Sequence, residues 1–484
     1  MEHPARDRLF TTNIVMLTLA IDQGTHSTRA LIFDAGGRVV SIARQPVSLN
    51  RCNRREIEQS PDEIRQSMQT VVDAVLNDPA VDRNRIAVAG MATQRSSVLA
   101  WDRITGKPLS PVLSWQDRRV ADTLLSIMDH DQQIRELTGL HLSPHYGAGK
   151  LQWLLDHVPA TREALAAGTL MMGPLASYLL HHLTNSHEDV VDDANASRTL
   201  LWNLQSRNWD AALLDLFRIP PQVLPTCVPV CTDYGLTRQG NIPVQAVNGD
   251  QTAALYAHGK PSGNTILVNI GTGAFVLLPV DDLTARPDGL LAGISHSDKD
   301  AASYYVEGTV NGAGAALEWA AGKFNVNDLE SRLPGWLEEI QAPTLFMNTV
   351  GGLGSPWWQA GPEAHFLDTE VTTAAAMVAV IESILFLVQA NIELMTTLNP
   401  AIDRIRISGG LSNLDGLCQR LANLSGLEVE RPVQVEATAR GIAWQAAGCP
   451  EGWENMDNGN LFNPERDAPL AGRYTQFIEH LKQL

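Results

Sequence analysis

Basic residues are in short supply in this chain: 36 Lys and Arg stand against 54 Asp and Glu, a formal charge of −18 over 484 residues. A general nucleic-acid binder needs the opposite balance to neutralise phosphates, so no nucleic-acid partner is expected, and an anionic ligand must meet positive groups placed locally. Cysteines are few as well. The five, at 52, 227, 231, 418 and 449, are odd in number and lack metal-ligand spacing, which reads as reduced thiols of a cytoplasmic protein rather than a disulfide framework or a zinc site. The N-terminal MEHPARDRLFTTNIVM has no apolar segment of the kind a signal peptide needs. Residues 1–15 read as a flexible tail. The most apolar stretch, Thr372 to Leu398, is interrupted by Glu382 and Glu393, which leaves no window of roughly 20 apolar residues for a membrane span; a buried central helix is expected.

What is present is α/β. Short β-like runs alternate with amphipathic helices, and 44% hydrophobic content over this length suffices for two or three cores. IFDAGGRVVSI predicts a hairpin, its Ala-Gly-Gly supplying residues that tolerate positive φ. SPDEIRQSMQTVVDAVL predicts a helix with Ser60 as N-cap, Pro61 at the first position and Glu63 completing a capping box. RIAVAGMA reads as a buried strand, and helices dominate from about 118 to 226.

Two turns echo each other. In AIDQGTHST a core strand ends on Asp22 and a Gly-Thr turn; some 250 residues later VNIGTGAF repeats strand, Gly-Thr-Gly and strand, and RISGGLSNLDG adds a Gly-Gly turn before a helix. This arrangement suggests two related α/β domains facing each other across a cleft. Glycine lets backbone N–H groups approach phosphate oxygens, hydroxyls add donors, and a carboxylate at a strand end can hold Mg²⁺ directly or through its waters. Alone, Asp22 reads sooner as an Asx turn than as a metal ligand; the second and third glycine turns reverse this in favour of the metal.

Ten blocks in order, among them DQGTHSTR, ATQRSSVLAWDRITGKPL, SWQDRR, DANASRTLLWNLQSRNWD, GDQTAALY, NIGTGAF, VEGTVNGAGAALEW, SGGLS and ERPVQVEATARGIAWQAAG, resemble the FGGY carbohydrate kinases over about 17–448. The resemblance is strongest to the glycerol-phosphorylating branch. It implies two ribonuclease-H-like domains of the actin-like ATPase type around a central cleft. Residues 16–256 would form the acceptor and phosphate-binding domain, 257–450 the nucleotide-binding domain, and 451–484 an extension. It also implies ATP and Mg²⁺ as cofactors and transfer of the γ-phosphoryl group to a hydroxyl of a small polyol or sugar. Since family members often form dimers or tetramers, a homo-oligomer is a further expectation.

Phosphoryl transfer asks a protein to align an oxygen with phosphorus and to neutralise charge. The resemblance assigns the catalytic base to Asp250, which with Asp22 also organises the metal. It assigns the phosphate turns to Thr25, Ser27, Arg29 and Thr272, and the nucleotide surroundings to Gly314, Glu318 and Gly410. For the acceptor it nominates Arg95, Ser96, Trp115, Gln116, His145, Asp250, Gln251 and Phe275, a set that pairs hydroxyl-binding groups with an apolar wall. Without it, local sequence makes Asp250 an Asx turn, Gly314 a close-packing glycine, Arg95 a surface ion pair, Trp115 and Phe275 core aromatics, and His145 a solvated loop residue.

Three positions depart from the pattern. The family's glycerol-phosphorylating members carry Glu where this chain has Ser96 and Tyr where it has His145, and Leu414 replaces an Asn near the adenine. A shorter side chain at 96 enlarges the pocket, which keeps a four- or five-carbon polyol or ketose open beside glycerol. A non-catalytic nucleotide or polyol sensor, or an actin-like ATPase used for assembly, is the alternative from another class; retention of both aspartates argues for the kinase.

Overall fold

Seven consecutive buried residues, Leu17–Gln23, make sense only for a strand covered on both faces and hydrogen-bonded on both edges. In the computed structural model, which describes residues 16–186, 189–433, 436–453 and 459–483, that is its place. The 1–15 tail lies outside the described residues. Five strands, β1 (Leu17–Gln23), β2 (Ser27–Phe33), β3 (Val39–Pro46), β4 (Ile86–Thr93) and β5 (Val244–Gly249), form a sheet in the order β5-β4-β1-β2-β3. β1, β2 and β3 are an antiparallel meander; β4 and β5 join it in parallel. Helix α1 (Pro61–Leu76) fills the connection between β3 and β4. The Ser60 hydroxyl accepts from the Glu63 N–H at 3.3 Å, but the Glu63 carboxylate does not return to Ser60. It accepts instead from the N–H and hydroxyl of Ser48, each at 2.9 Å, so half of the expected capping box becomes a tether to the β3 side.

A second sheet repeats the plan. Its strands are β6 (Thr265–Ile270), β7 (Ala274–Val280), β8 (Leu291–Ser297), β9 (Ala302–Val310), β10 (Arg404–Ser408), β11 (Glu428–Arg431) and β12 (Asn460–Phe462), ordered β8-β9-β7-β6-β10-β11-β12. Again a central first strand has antiparallel neighbours on one side, β7 and β9, and parallel ones on the other, β10 and β11. The echo of AIDQGTHST in VNIGTGAF is thus topological: each is the first hairpin of its sheet. Together the two sheets and their helices make the two-domain α/β fold.

The apolar run from 373 becomes one 26-residue helix, Thr373–Leu398, long and apolar enough to cross a membrane but enclosed in the core of the second domain. Its Glu382, almost wholly buried, accepts two 2.7 Å bonds from Arg473 on the helix Ala468–Leu481, whose Leu470, Phe477 and Leu481 join the same core. The helix Ala468–Leu481 and β12 therefore close the second domain.

The domains are interlocked by short helices that follow their last parallel strands. Asp250–Ala254 follows β5, and Ala437–Ala446, which follows β11, packs against the first domain's helix. Contact is so close that a Cβ on Gly441 would lie 1.8 Å from the Ala253 carbonyl oxygen, a position only glycine can occupy. A third, antiparallel sheet of short strands, Asn50–Arg51, Ile57–Gln59, Val98–Asp102, Val112–Leu113 and Leu170–Pro174, carries loops toward the cleft.

Candidate active site

Register brings the two aspartates to one edge. Asp22 on β1 and Asn248 on β5 both stand opposite Ala92 of β4, two strand spacings or about 9.5 Å apart, and Asp250 follows Asn248 by two residues, so Asp22 and Asp250 emerge at the same carboxyl ends. Burial raises the Asp22 carboxyl to about 7, with further upward pushes from Asp250 and Glu436. Arg29 works against this from 3.6 Å, but its guanidinium is committed to Glu436 at 2.7 Å, and burial prevails. Asp250 is likewise raised by burial, against Arg95, whose Nε lies 3.7 Å from Oδ1, and against the Gln251 N–H, which donates to Oδ1 at 2.7 Å.

A cavity of about 150 Å³ opens at Asp250, lined by Thr25, Arg95, Trp115, His145, Gln251 and Phe275 as well. Arg95 reaches it flat against Gly249, where a Cβ would sit 2.6 Å from the arginine's Cγ and Cδ; glycine there is what lets the guanidinium lie beside the carboxylate. Trp115 donates its indole N–H to the Thr25 hydroxyl at 2.9 Å, and the His145 ring stands 5.6 Å from the indole. Burial, with the charges of Arg118, Lys150, Arg198 and Arg95, holds His145 well below its ordinary pKa. It is a neutral imidazole, able to donate one hydrogen bond and accept another.

Two nominated residues fall elsewhere. Gln116 turns away: its amide oxygen accepts from Arg51 Nη2 at 3.0 Å, and the neighbouring Trp115 alone of the pair lines the cavity. Ser96 is buried at φ 63° with its hydroxyl unpartnered, and it does not line the cavity. Its carbonyl has a structural duty. The buried Lys150 ammonium donates to the carbonyls of Ser96 (3.2 Å), Ser114 (2.8 Å) and His145 (2.7 Å), tying three loops around the cavity to one charge. A second cavity of about 350 Å³ shares His145 and Phe275 as its wall. A third, about 610 Å³, lies against Tyr256, His296 and Trp444, and neither Asp22 nor Asp250 lines it.

Sequence reasoning missed the residues that close the site from the other domain. On β9 the side chains of Tyr305, Glu307 and Thr309 share one face by strand alternation, the face that also carries Phe275 on β7. Glu307 is fully buried and accepts from Arg95 Nη1 and Nη2 (3.2 Å each) and from Arg198 Nη2 (3.0 Å). The signal was a lone carboxylate inside the apolar strand YVEGTV, and an arginine in the block DANASRT.

On the nucleotide side, Thr272 is exposed at the tip of the β6–β7 turn, and the helix Gly314–Phe324 starts against it. The Gly314 and Ala315 N–H groups donate to the Gly271 and Thr272 carbonyls at 2.9 and 3.0 Å, and a Cβ on Gly314 would lie 2.7 Å from the Gly271 oxygen. Close packing therefore explains this glycine, and the helix start does not present these two donors to an anion. Glu318 is exposed one turn on. Gly410 borders open space, next to Gly409 at φ 92°, which packs on the Ile270 backbone. Ser27 is buried beside Gly24, whose N–H donates to the Ser27 carbonyl at 3.0 Å.

Among the described residues no three His, Cys, Asp or Glu side chains cluster as a metal cage. Asp22 feels the charges of Asp250 and Glu436 and is offset only by an Arg29 already paired with Glu436, so it is nonetheless short of positive charge. Such a site suits a cation that keeps its waters and takes one or two carboxylates, as Mg²⁺ does.

Comparison with known proteins gives a consistent result. The FGGY family of carbohydrate kinases matches by its N-terminal domain over residues 17–257 and by its C-terminal domain over 266–448. A glycerol kinase of Trichodesmium erythraeum is 32% identical over 482 residues, 95% of each chain. Among solved structures, Plasmodium falciparum glycerol kinase with ADP superposes with a TM-score of 0.85 at 23% identity, covering 97% of this chain and 98% of that one. Xylulose kinase from Rhodospirillum rubrum does so with 0.83 at 20%, covering 96% and 98%.

Proposed function

Because the chain belongs to the FGGY family of carbohydrate kinases and is an ATP-dependent polyol or sugar kinase, we propose that Asp250 is its catalytic base and that glycerol, or a polyol close to it, is its preferred acceptor. The observation that carries this reading is the single cavity in which Asp250 meets Arg95, Trp115, His145 and Phe275. An acceptor hydroxyl held there loses its proton to the Asp250 carboxylate as its oxygen bonds the γ-phosphorus, and ADP leaves with the electrons of the broken P–O bond. Arg95, neutral His145 and Gln251 would bind the remaining hydroxyls, while Trp115 and Phe275 face the C–H surface. Thr25, Ser27 and Thr272 would border the phosphates, with Gly410 beside the nucleotide. Mg²⁺ would be held by Asp22, with Asp250 nearby, and would neutralise charge on the phosphates. Arg29 acts through Asp22 and Glu436 in this reading. Reduced thiols and the acidic surface fit a cytoplasmic enzyme.

A four- or five-carbon polyol or ketose is the second reading, favoured by the cavity of about 350 Å³ beyond His145 and Phe275. ADP release with glycerol, erythritol, pentitols and ketopentoses tests both. Stimulation by one of them, abolished in Asp250→Asn, is expected. Hydrolysis indifferent to every acceptor and to this substitution would overturn the reading.

A further inference from the structure

Arg95 is held from two sides by groups on different domains. Its Nε faces Asp250 of the first domain at 3.7 Å, and its Nη1 and Nη2 are engaged by Glu307 of the second. Glu307 also holds Arg198, and Tyr305 Oη accepts from Arg95 Nη1 at 2.9 Å. Two guanidinium groups from one domain thus converge on one carboxylate from the other. We propose that Glu307 is a positioning residue that sets Arg95 for acceptor binding, so that the acceptor pocket is complete only while the two domains are apposed.

The argument rests on the assignment of Arg95 and Asp250 to acceptor binding and proton acceptance. If β9 draws away with its domain, both arginines lose their only close shared anion, and for Arg95 the nearest carboxylate left is Asp250. The open molecule would therefore hold Arg95 against Asp250, where the acceptor hydroxyl must sit, and closure would return the guanidinium to Glu307 and leave the cavity to the acceptor.

Glycerol-dependent ADP release is measured for the parent protein, Glu307→Gln and the charge-preserving Glu307→Asp, with small-angle scattering on each without ligands. Glu307→Gln is expected to raise the KM for glycerol about tenfold or more while that for ATP moves by no more than about twofold. Glu307→Asp, which keeps the charge but draws it back, is expected to show a smaller rise in the glycerol KM. Unliganded Glu307→Gln is expected to have the larger radius of gyration. Equal rises in both KM values, or an unchanged glycerol KM, would overturn the proposal, as would unchanged scattering. A parent protein that releases no ADP with glycerol would instead remove the glycerol reading, and the scattering comparison would still decide whether Glu307 holds the domains together.

Discussion

Replacing Asp22 by Asn should make the metal-free protein more stable and more so at higher pH. The folded carboxyl keeps its proton to about pH 7, whereas the ordinary value is 3.8, so between these values the folded state binds the extra proton and stability falls as pH rises. At about 1.4 kcal/mol per pH unit, the raised pKa costs the fold about 4 kcal/mol by pH 8, where Asp22 is ionised in place, and about 2 kcal/mol at pH 5.5, where folding must return its proton. Asn removes this cost together with the repulsion from Asp250 and Glu436, and leaves the 2.7 Å Arg29–Glu436 pair intact. Denaturant or thermal midpoints in chelator should show Asp22→Asn ahead of the parent at both pH values, with a margin larger by about 2 kcal/mol at pH 8. Saturating Mg²⁺ and ATP should narrow or reverse the order, because only the parent gains the cation. A margin that shrinks with rising pH, or a variant less stable throughout, would refute the reasoning: Asp22 would then be a satisfied structural carboxylate.

Three further substitutions probe the acceptor cavity. Lys150→Met strands the Ser96 and His145 carbonyls, each worth about 1–3 kcal/mol when left unpaired, while Ser114 keeps the Asp117 N–H, so a clear loss of stability by denaturant titration and a raised acceptor KM are expected. Gly249→Ala puts a methyl group 2.6 Å from Arg95 Cγ and Cδ; a shift of the guanidinium should raise the acceptor KM about tenfold, with ATP little affected in the same steady-state assay. Gln116→Ala should leave the acceptor KM within about twofold, since its amide is bonded to Arg51 outside the cavity.

Local chemistry was legible in the sequence where it is written locally. Glycine turns after apolar runs marked the first hairpin of each sheet, and the ordered blocks led to Arg95, Trp115, His145, Asp250, Gln251 and Phe275, which the fold gathers around one cavity. Gln116 went astray because the residue after an inward tryptophan points to the other side, where Arg51 waits. Gly314 looked like an anion site, but its N–H is bonded within the Gly-Thr-Gly turn, a pairing between residues more than 40 apart. Glu307 and Arg198 were missed for a stronger version of the same reason: a lone carboxylate in an apolar strand and an arginine in a distant block hint at a buried pair, but only docking of the two domains joins them.

The way Lys150 gathers its loops bears on how acceptor preference can change over evolutionary time. The ammonium grips main-chain oxygens at 96, 114 and 145, which every residue type supplies, so the identities displayed at those positions are decoupled from the shape that displays them. Ser for Glu at one and His for Tyr at another leave the gripped carbonyls in place. Selectivity among acceptors can drift by such exchanges, and an engineer wishing to redirect it would vary 145, which lines the cavity, restrict 96 to residues that tolerate its φ of 63°, and leave 150 untouched.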